Sequence, residues 1–501
     1  MLTGERVPVL FVFYGGLIMF VSAQNPLNSH LSSPIMSPVK KIGYRSTVAL
    51  VIGSVIGSGV FMKPADMAAQ LGSPLWLTIV WVIAGIFSLF GALVYAELGA
   101  MMPENGGIYV YFRKLFGDFP AFLYGWAAFS VINTAAIAAI AFVCAFYADH
   151  FLHLPGFSTE QVNAFVWHIP FIGDLYPLKD FGVKSLAIFL VLFLTWLNTR
   201  SLKAGSYFQD LSTVLKLAVI AALVFGIFFS GGGSVANFYT GGTMPSTGLI
   251  SGIVAALTGA FFAYDGWINV SSMAGEIRDP QRNIPRSLWV GVLACVVVYV
   301  AVNQAYLYVL PVDTMAGSPL VASDAIRVAL GNTSEAVVAA MIVVCTFGAI
   351  NGNVMATARI TYAMGKDKVF FPATGRDHHK HGTPANALWL HGIWTSLFIL
   401  TGSFDMLANM FVFITWVAYG MGAIGIFLLR RREPNVTRPY KIWGHPFVTI
   451  AFIVFTFAYL IITLYSDISN YLDNKQPVIN SVLGLAITLL GVPIYKWRRN
   501  S

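Results

Sequence analysis

Two stretches of this chain place backbone-breaking and polar residues inside apolar runs. The first is IGSVIGSGVF, residues 52–61, with Gly53, Gly57 and Gly59. Gly53 and Gly57 form a GxxxG pair, which suits close helix packing. Gly57, Ser58 and Gly59 together exceed what packing needs, and such a stretch can unwind and expose its N–H and C=O groups. The second is LTGAFFAYDGWINV, residues 257–270, with Asp265 near its middle followed by Gly266. A carboxylate inside an apolar span is a functional candidate. It equally suits a bend at which Asp265 caps a second half-helix by accepting from its free N–H groups. Both readings predict a break at the same place. Half-helix N-termini present N–H donors and a positive dipole end to a carboxylate, while unwound carbonyls can hold an ammonium. A site with both fits a zwitterion.

Lys216 is the third feature. It lies nine residues beyond Tyr207 in the apolar run 206–229, about 14 Å along a helix and near mid-bilayer, too deep to snorkel easily. A cation fixed there can replace a mobile coupling cation, or it can hydrogen-bond the carbonyls of a broken neighbour.

The elements that must position these residues follow from composition. Of 501 residues, 57% are hydrophobic and 10% are charged, against about a quarter charged in soluble domains. That excludes a soluble enzyme, a disordered regulator and a disulfide scaffold, and it predicts an all-α integral membrane protein in contact with the lipid bilayer. Twelve apolar runs are long enough to cross: 46–62, 73–101, 119–148, 183–199, 206–229, 247–275, 286–310, 335–364, 384–401, 405–429, 446–466 and 477–495. The predicted breaks fall in the first and sixth. Inverted-repeat transporters place discontinuous helices at matching positions of their two halves. The pattern therefore predicts a 5+5 repeat, 46–229 and 247–430, with two further helices over 446–497.

Most Lys and Arg residues fall into alternate connections, including Lys40, Lys41 and Arg45, Arg278, Arg282 and Arg286, and Arg430, Arg431 and Arg432. Lys63, Lys179, Lys184, Arg327 and Lys475 fall to the other side. This bias predicts both ends of the 36–501 core in the cytoplasm. It also accounts for the net charge of +8 without a nucleic-acid partner. Residues 7–23 form a further apolar run, open to three readings: a signal-like segment, a retained helix, or part of an upstream extension over 1–35 with Met36 as the working start. The last is adopted, because MSPVKK makes a short basic tail.

No catalytic, cofactor or metal motif is present: there is no H-E-x-x-H, G-x-S-x-G or P-loop. Cys144, Cys295 and Cys345 lie inside apolar runs and form no disulfide framework. His378, His379 and His381 lack the i, i+4 spacing of a helical zinc pair and are read as part of a solvated loop.

Seven segments occurring in order resemble the amino acid/polyamine/organocation superfamily, and within it a bacterial form of the L-type amino acid transporter branch. They are VIGSGVF (55–61), YAELGAMMPENGGIYVYFRKLFG (95–117), QDLSTVLKL (209–217), FFAYDGW (261–267), GEIRDPQRNIPRS (275–287), ARITYAMGKD (358–367) and RPYKIWGHP (438–446). The resemblance implies a LeuT-type fold of twelve helices, broken in helices 1 and 6 near Gly57, Gly59 and Gly266, working by alternating access in the plasma (inner) membrane. It implies that the Ser58 and Gly59 amides hold a substrate carboxylate. The carbonyls of Val55, Phe262 and Asp265 would hold its ammonium. Phe262 would also act as a lid, and Trp267 would line the side-chain pocket. Lys216 would stand where sodium-coupled relatives bind an ion, which implies sodium-independent exchange of neutral L-amino acids. Proton-coupled symport and transport of cationic amino acids or polyamines are the alternatives, favoured by Asp265; a transporter-like nutrient sensor is a further one. Loop 149–182 lacks the cysteine through which mammalian members join a heavy chain, so no such partner is expected. Ile268 stands where mammalian relatives often carry Asn.

Overall fold

The computed structural model describes residues 42–500 except 105, 201, 243–247, 368 and 380, with side chains outside 201–213 and 499–500. The chain is almost entirely helical. Its first apolar run becomes α1 (Tyr44–Val55) and α2 (Gly59–Leu71), bent by 44° at the residues between them. Then come α3 (Pro74–Met101), α4 (Ile108–Phe116) and α5 (Asp118–Ala127). A single π-helical turn over 128–132 joins α5 to α6 (Asn133–Leu152). A short α7 (Thr159–Ala164) and a hairpin of β1 (Trp167–Ile169) and β2 (Gly173–Leu175) precede α8 (Phe181–Arg200) and α9 (Leu202–Phe229).

The sixth run is α10 (Leu249–Tyr264) followed by the single turn α11 (Asn269–Ser272). The chain continues through α12 (Pro280–Val309), α13 (Val312–Ala316), α14 (Val321–Leu330) and α15 (Asn332–Lys366). It ends with α16 (Ala385–Thr401), α17 (Phe404–Arg432), α18 (Phe447–Leu472), α19 (Asn480–Leu489) and α20 (Gly491–Asn500).

Among the described residues, eight helices are long and apolar enough to cross a bilayer, and the bent α1–α2 pair makes nine. The protein is therefore multi-pass. α9, α16 and the α19–α20 pair occupy the other apolar runs of the sequence. Helix ends follow local chemistry. Ser73 caps α3 by accepting from the Trp76 amide at 3.4 Å, with Pro74 in the first turn, where its missing N–H costs nothing. Gly72 ends α2 in the left-handed conformation, φ 55°.

Two lysines that the charge bias counts with the outer segments are buried in helices. Lys63 lies inside α2, which runs on to Leu71, well past the expected end at residue 62. Its ammonium is neutralised by Asp66 and Asp405, so it need not reach bulk water. Lys184 is buried in the first turn of α8 and donates to the carbonyls of Tyr176, Pro177 and Leu400 at 2.7–3.3 Å.

At the opposite, basic end, Glu97 of α3 is fully buried. Arg430 of α17 donates to it twice, through Nε at 3.0 Å and Nη2 at 2.6 Å. The Ile442 amide donates at 2.9 Å, and Arg438 lies at 3.5 Å. A bidentate pair of this kind fixes geometry as well as charge, and here it ties two helices to the loop after Arg432. His445 in that loop is held below the ordinary histidine range by partial burial, and next by the neighbouring Arg430 charge.

Candidate functional site

The polar centre of the molecule is made from backbone. Between α1 and α2 the N–H groups of Gly57, Ser58 and Gly59 make no backbone-to-backbone hydrogen bond among the described residues. The same holds for Gly266, Trp267 and Ile268 between α10 and α11. In hydrocarbon, unpaired backbone costs several kcal/mol per group, so such segments are tolerated where they line a polar site.

The two breaks meet. A Cβ built on Gly59 would lie 2.7 Å from the Ala263 Cα, and one on Gly266 would lie 2.4 Å from the Ser54 carbonyl oxygen. Gly266 also has φ 110°, a conformation other residues rarely adopt. Glycine thus permits both contacts between the first and sixth interrupted runs. Gly57 differs, with only the Val55 oxygen at 3.7 Å near its Cβ position.

Tyrosines from the surrounding helices hold the exposed carbonyls. The Tyr299 hydroxyl of α12 sits 2.8 Å from both the Val55 and the Ala263 carbonyl oxygens. Tyr147 of α6 donates to Phe61 at 2.9 Å, and Tyr306 of α12 to Val60 at 3.4 Å. Sequence reading missed these residues. They lie within apolar runs, and their partners are 36 to 246 positions away. The seven-residue spacing of Tyr299 and Tyr306, which puts both on one face of α12, is the one signal present in sequence.

Val55, Ser58, Gly59, Phe262, Asp265 and Trp267 lie at or beside this crossing. Ser58 is buried. Phe262 is nearly buried and meets Phe404 and Phe411 edge to face, at 5.7 and 5.9 Å. Trp267 packs against Tyr419 at 4.8 Å and Tyr95 at 5.7 Å. Asp265 ends α10, and its carboxylate accepts from the Tyr419 hydroxyl at 2.6 Å. It does not cap α11, whose N-cap is Ile268 with no side-chain bond; the carboxylate points to α17 instead. Lys216 is buried on α9. No break residue hydrogen-bonds to it among the described residues.

Beyond Phe262, towards the β-hairpin end, a cavity of about 1220 Å³ has Lys63, Gly259, Asp405 and Asn409 among its lining. Lys63 pairs with Asp66 and Asp405 and lies 4.5 Å over the Phe404 ring. Among the described residues no cluster of His, Cys, Asp and Glu is arranged to hold a metal.

These features define a multi-pass membrane protein whose polar centre is the meeting point of two interrupted helical runs. The chain belongs to the amino acid permease family, whose sequence profile matches residues 42–491. It is 32% identical to the b(0,+)-type amino acid transporter 1 of Mus musculus over 80% of this chain and 78% of that one. It is 31% identical to the large neutral amino acids transporter small subunit 2 of Homo sapiens over 91% of this chain and 80% of that one. It is 29% identical to the serine/threonine exchanger SteT of Bacillus subtilis over 91% and 96%.

Proposed function

We propose that this protein exchanges neutral L-amino acids across the plasma membrane by alternating access, without sodium. The observation that carries the reading is the contact of the two breaks through Gly59 and Gly266. It brings unpaired amides and exposed carbonyls to one place, as a zwitterion requires. The Ser58 and Gly59 amides take the carboxylate, and the Val55, Phe262 and Asp265 carbonyls share the ammonium. Val55 already accepts from Tyr299, and a carbonyl oxygen retains a second lone pair for substrate. Phe262 closes the site towards the cavity, and Trp267 borders the side-chain pocket. The names of the relatives, an exchanger and a large-neutral-amino-acid transporter among them, support substrate class and mode.

In this reading the helices form a twelve-span LeuT-type arrangement with repeats 46–229 and 247–430, the basic end facing the cytoplasm and the β-hairpin end facing outward. Lys216 replaces a coupling sodium. Asp265 favours a second reading, because its carboxylate beside the break suits a cationic side chain or a coupled proton. Uptake of a radiolabelled neutral amino-acid panel into loaded and empty proteoliposomes, with and without sodium, tests both. Uptake into loaded vesicles alone, indifferent to sodium, is expected. Uptake into empty vesicles driven by a proton or sodium gradient would overturn exchange.

A further inference from the structure

Helical spacing sets the face of α17 that meets the second break. Phe404 and Phe411 lie edge to face with Phe262. Eight residues beyond Phe411, Tyr419 donates to the Asp265 carboxylate and packs on Trp267. The other faces of α17 serve its neighbours: Met410 and Ile414 pack on Gly484 of α19, and Gly420 packs on Thr456 of α18. Thr415 stands four residues from both Phe411 and Tyr419. It therefore projects between them, about 6 Å along the axis from each, level with the segment 262–265.

Thr415 is 5% exposed, and its hydroxyl has no hydrogen-bond partner among the described residues. A threonine inside a helix can give its hydrogen to the carbonyl one turn back, as Thr258 and Thr346 do here; Thr415 does not. Thr195 and Thr456 are unpartnered too, but they lie against Gly392 and Gly420 of neighbouring helices. Thr415 faces the crossing of the two interrupted runs.

We propose that Thr415 is a specificity-determining residue, whose hydroxyl binds a hydroxyl on the β-carbon of the substrate and so selects small hydroxylated neutral amino acids over their aliphatic isosteres. With the substrate ammonium at the Phe262 and Asp265 carbonyls, the first side-chain atoms lie only two bonds from that nitrogen, at the level of Thr415. A threonine hydroxyl can both donate and accept, so either orientation of the substrate hydroxyl is met. A substrate with a methyl group in that place leaves the buried Thr415 hydroxyl unpaired. A site built to hydrogen-bond a hydroxyl discriminates against the analogue that lacks it.

The inference rests on the exchange reading, and its test separates the two. L-threonine and L-valine differ by a hydroxyl in place of a methyl group, and kcat/KM for each is measured by exchange in proteoliposomes. The wild type is expected to favour L-threonine. Thr415→Val should shrink the threonine-to-valine ratio about fivefold, the worth of one neutral hydrogen bond, and Thr415→Ser should keep it. Any effect common to both substrates cancels in the ratio. If Thr415→Val does not fold, Thr415→Ala gives the same reading. No preference in the wild type, a ratio unchanged by removing the hydroxyl, or an equal fall in Thr415→Ser would overturn the assignment while leaving exchange intact. If the wild type exchanges neither amino acid, the exchange reading fails. Binding of labelled L-threonine and L-valine in nanodiscs then decides: a ratio that falls in Thr415→Val still supports the assignment, and an unchanged ratio or no binding overturns it.

Discussion

Gly59 of α2 and Ala263 of α10 approach so closely that a methyl group on the glycine would sit 2.7 Å from the alanine Cα. The obstructing atoms are the backbone and Cβ of Ala263, which cannot swing aside as a flexible side chain would. Contacts this tight are felt at the level of a single methyl group.

The two neighbouring glycines should therefore respond differently. Gly59→Ala is expected to abolish exchange and lower the thermal midpoint in detergent, because α10 must move away. Gly57→Ala, which meets only one atom at 3.7 Å, should retain most of the exchange rate. Equal loss in both would show that the glycines serve the backbone conformation alone.

Tyr299→Phe removes a hydroxyl from two buried carbonyls at once. Each acceptor left unpaired costs about 1–3 kcal/mol. A clear drop in thermal midpoint is expected, together with slower exchange, since the position of α1 against α10 loses its shared anchor. Tyr306→Phe, which releases one longer bond of 3.4 Å, should cost less.

Asp265→Asn distinguishes the two transport readings. An asparagine oxygen can still accept from the Tyr419 hydroxyl, so the 2.6 Å contact is preserved while the charge is removed. Exchange of L-leucine should persist. Inhibition of that exchange by L-arginine, if the wild type shows any, should weaken. Loss of all neutral exchange in this variant would place the carboxylate charge in the transport step itself.

Glu97→Ala is expected to destabilise the fold by about 3–5 kcal/mol, the usual cost of removing one partner of a buried ion pair. It strands Arg430 and leaves Arg438 and the Ile442 amide without their shared acceptor. Glu97→Gln should recover part of this loss by keeping one acceptor. The readouts are folded yield and thermal unfolding of the purified protein.

Much of the fold could be read from hydrophobicity alone. The run 73–101 is α3 nearly to the residue, and 405–429 lies within α17, because a bilayer demands long uninterrupted apolar helices and marks their ends with polar residues. The runs containing Gly57 and Asp265 could be singled out because glycine triplets and carboxylates are rare in such surroundings. What sequence could not supply was pairing across distance. Tyr299 and Tyr419 look like ordinary apolar-run aromatics until the fold brings Val55 and Asp265 to them. Lys63 counts with the outer segments by charge bias because a buried lysine needs its acids, and Asp405 is 342 positions away.

A phenol carries a single hydrogen. The Tyr299 hydroxyl, equidistant from the Val55 and Ala263 oxygens, cannot give a full bond to both at once. It must divide its proton or hand it back and forth. Such a link behaves as an axle rather than a weld. The hydrogen can change allegiance while the oxygen stays in place, so it is the close packing at Gly59 and Gly266, and not this hydroxyl, that fixes one interrupted run against the other.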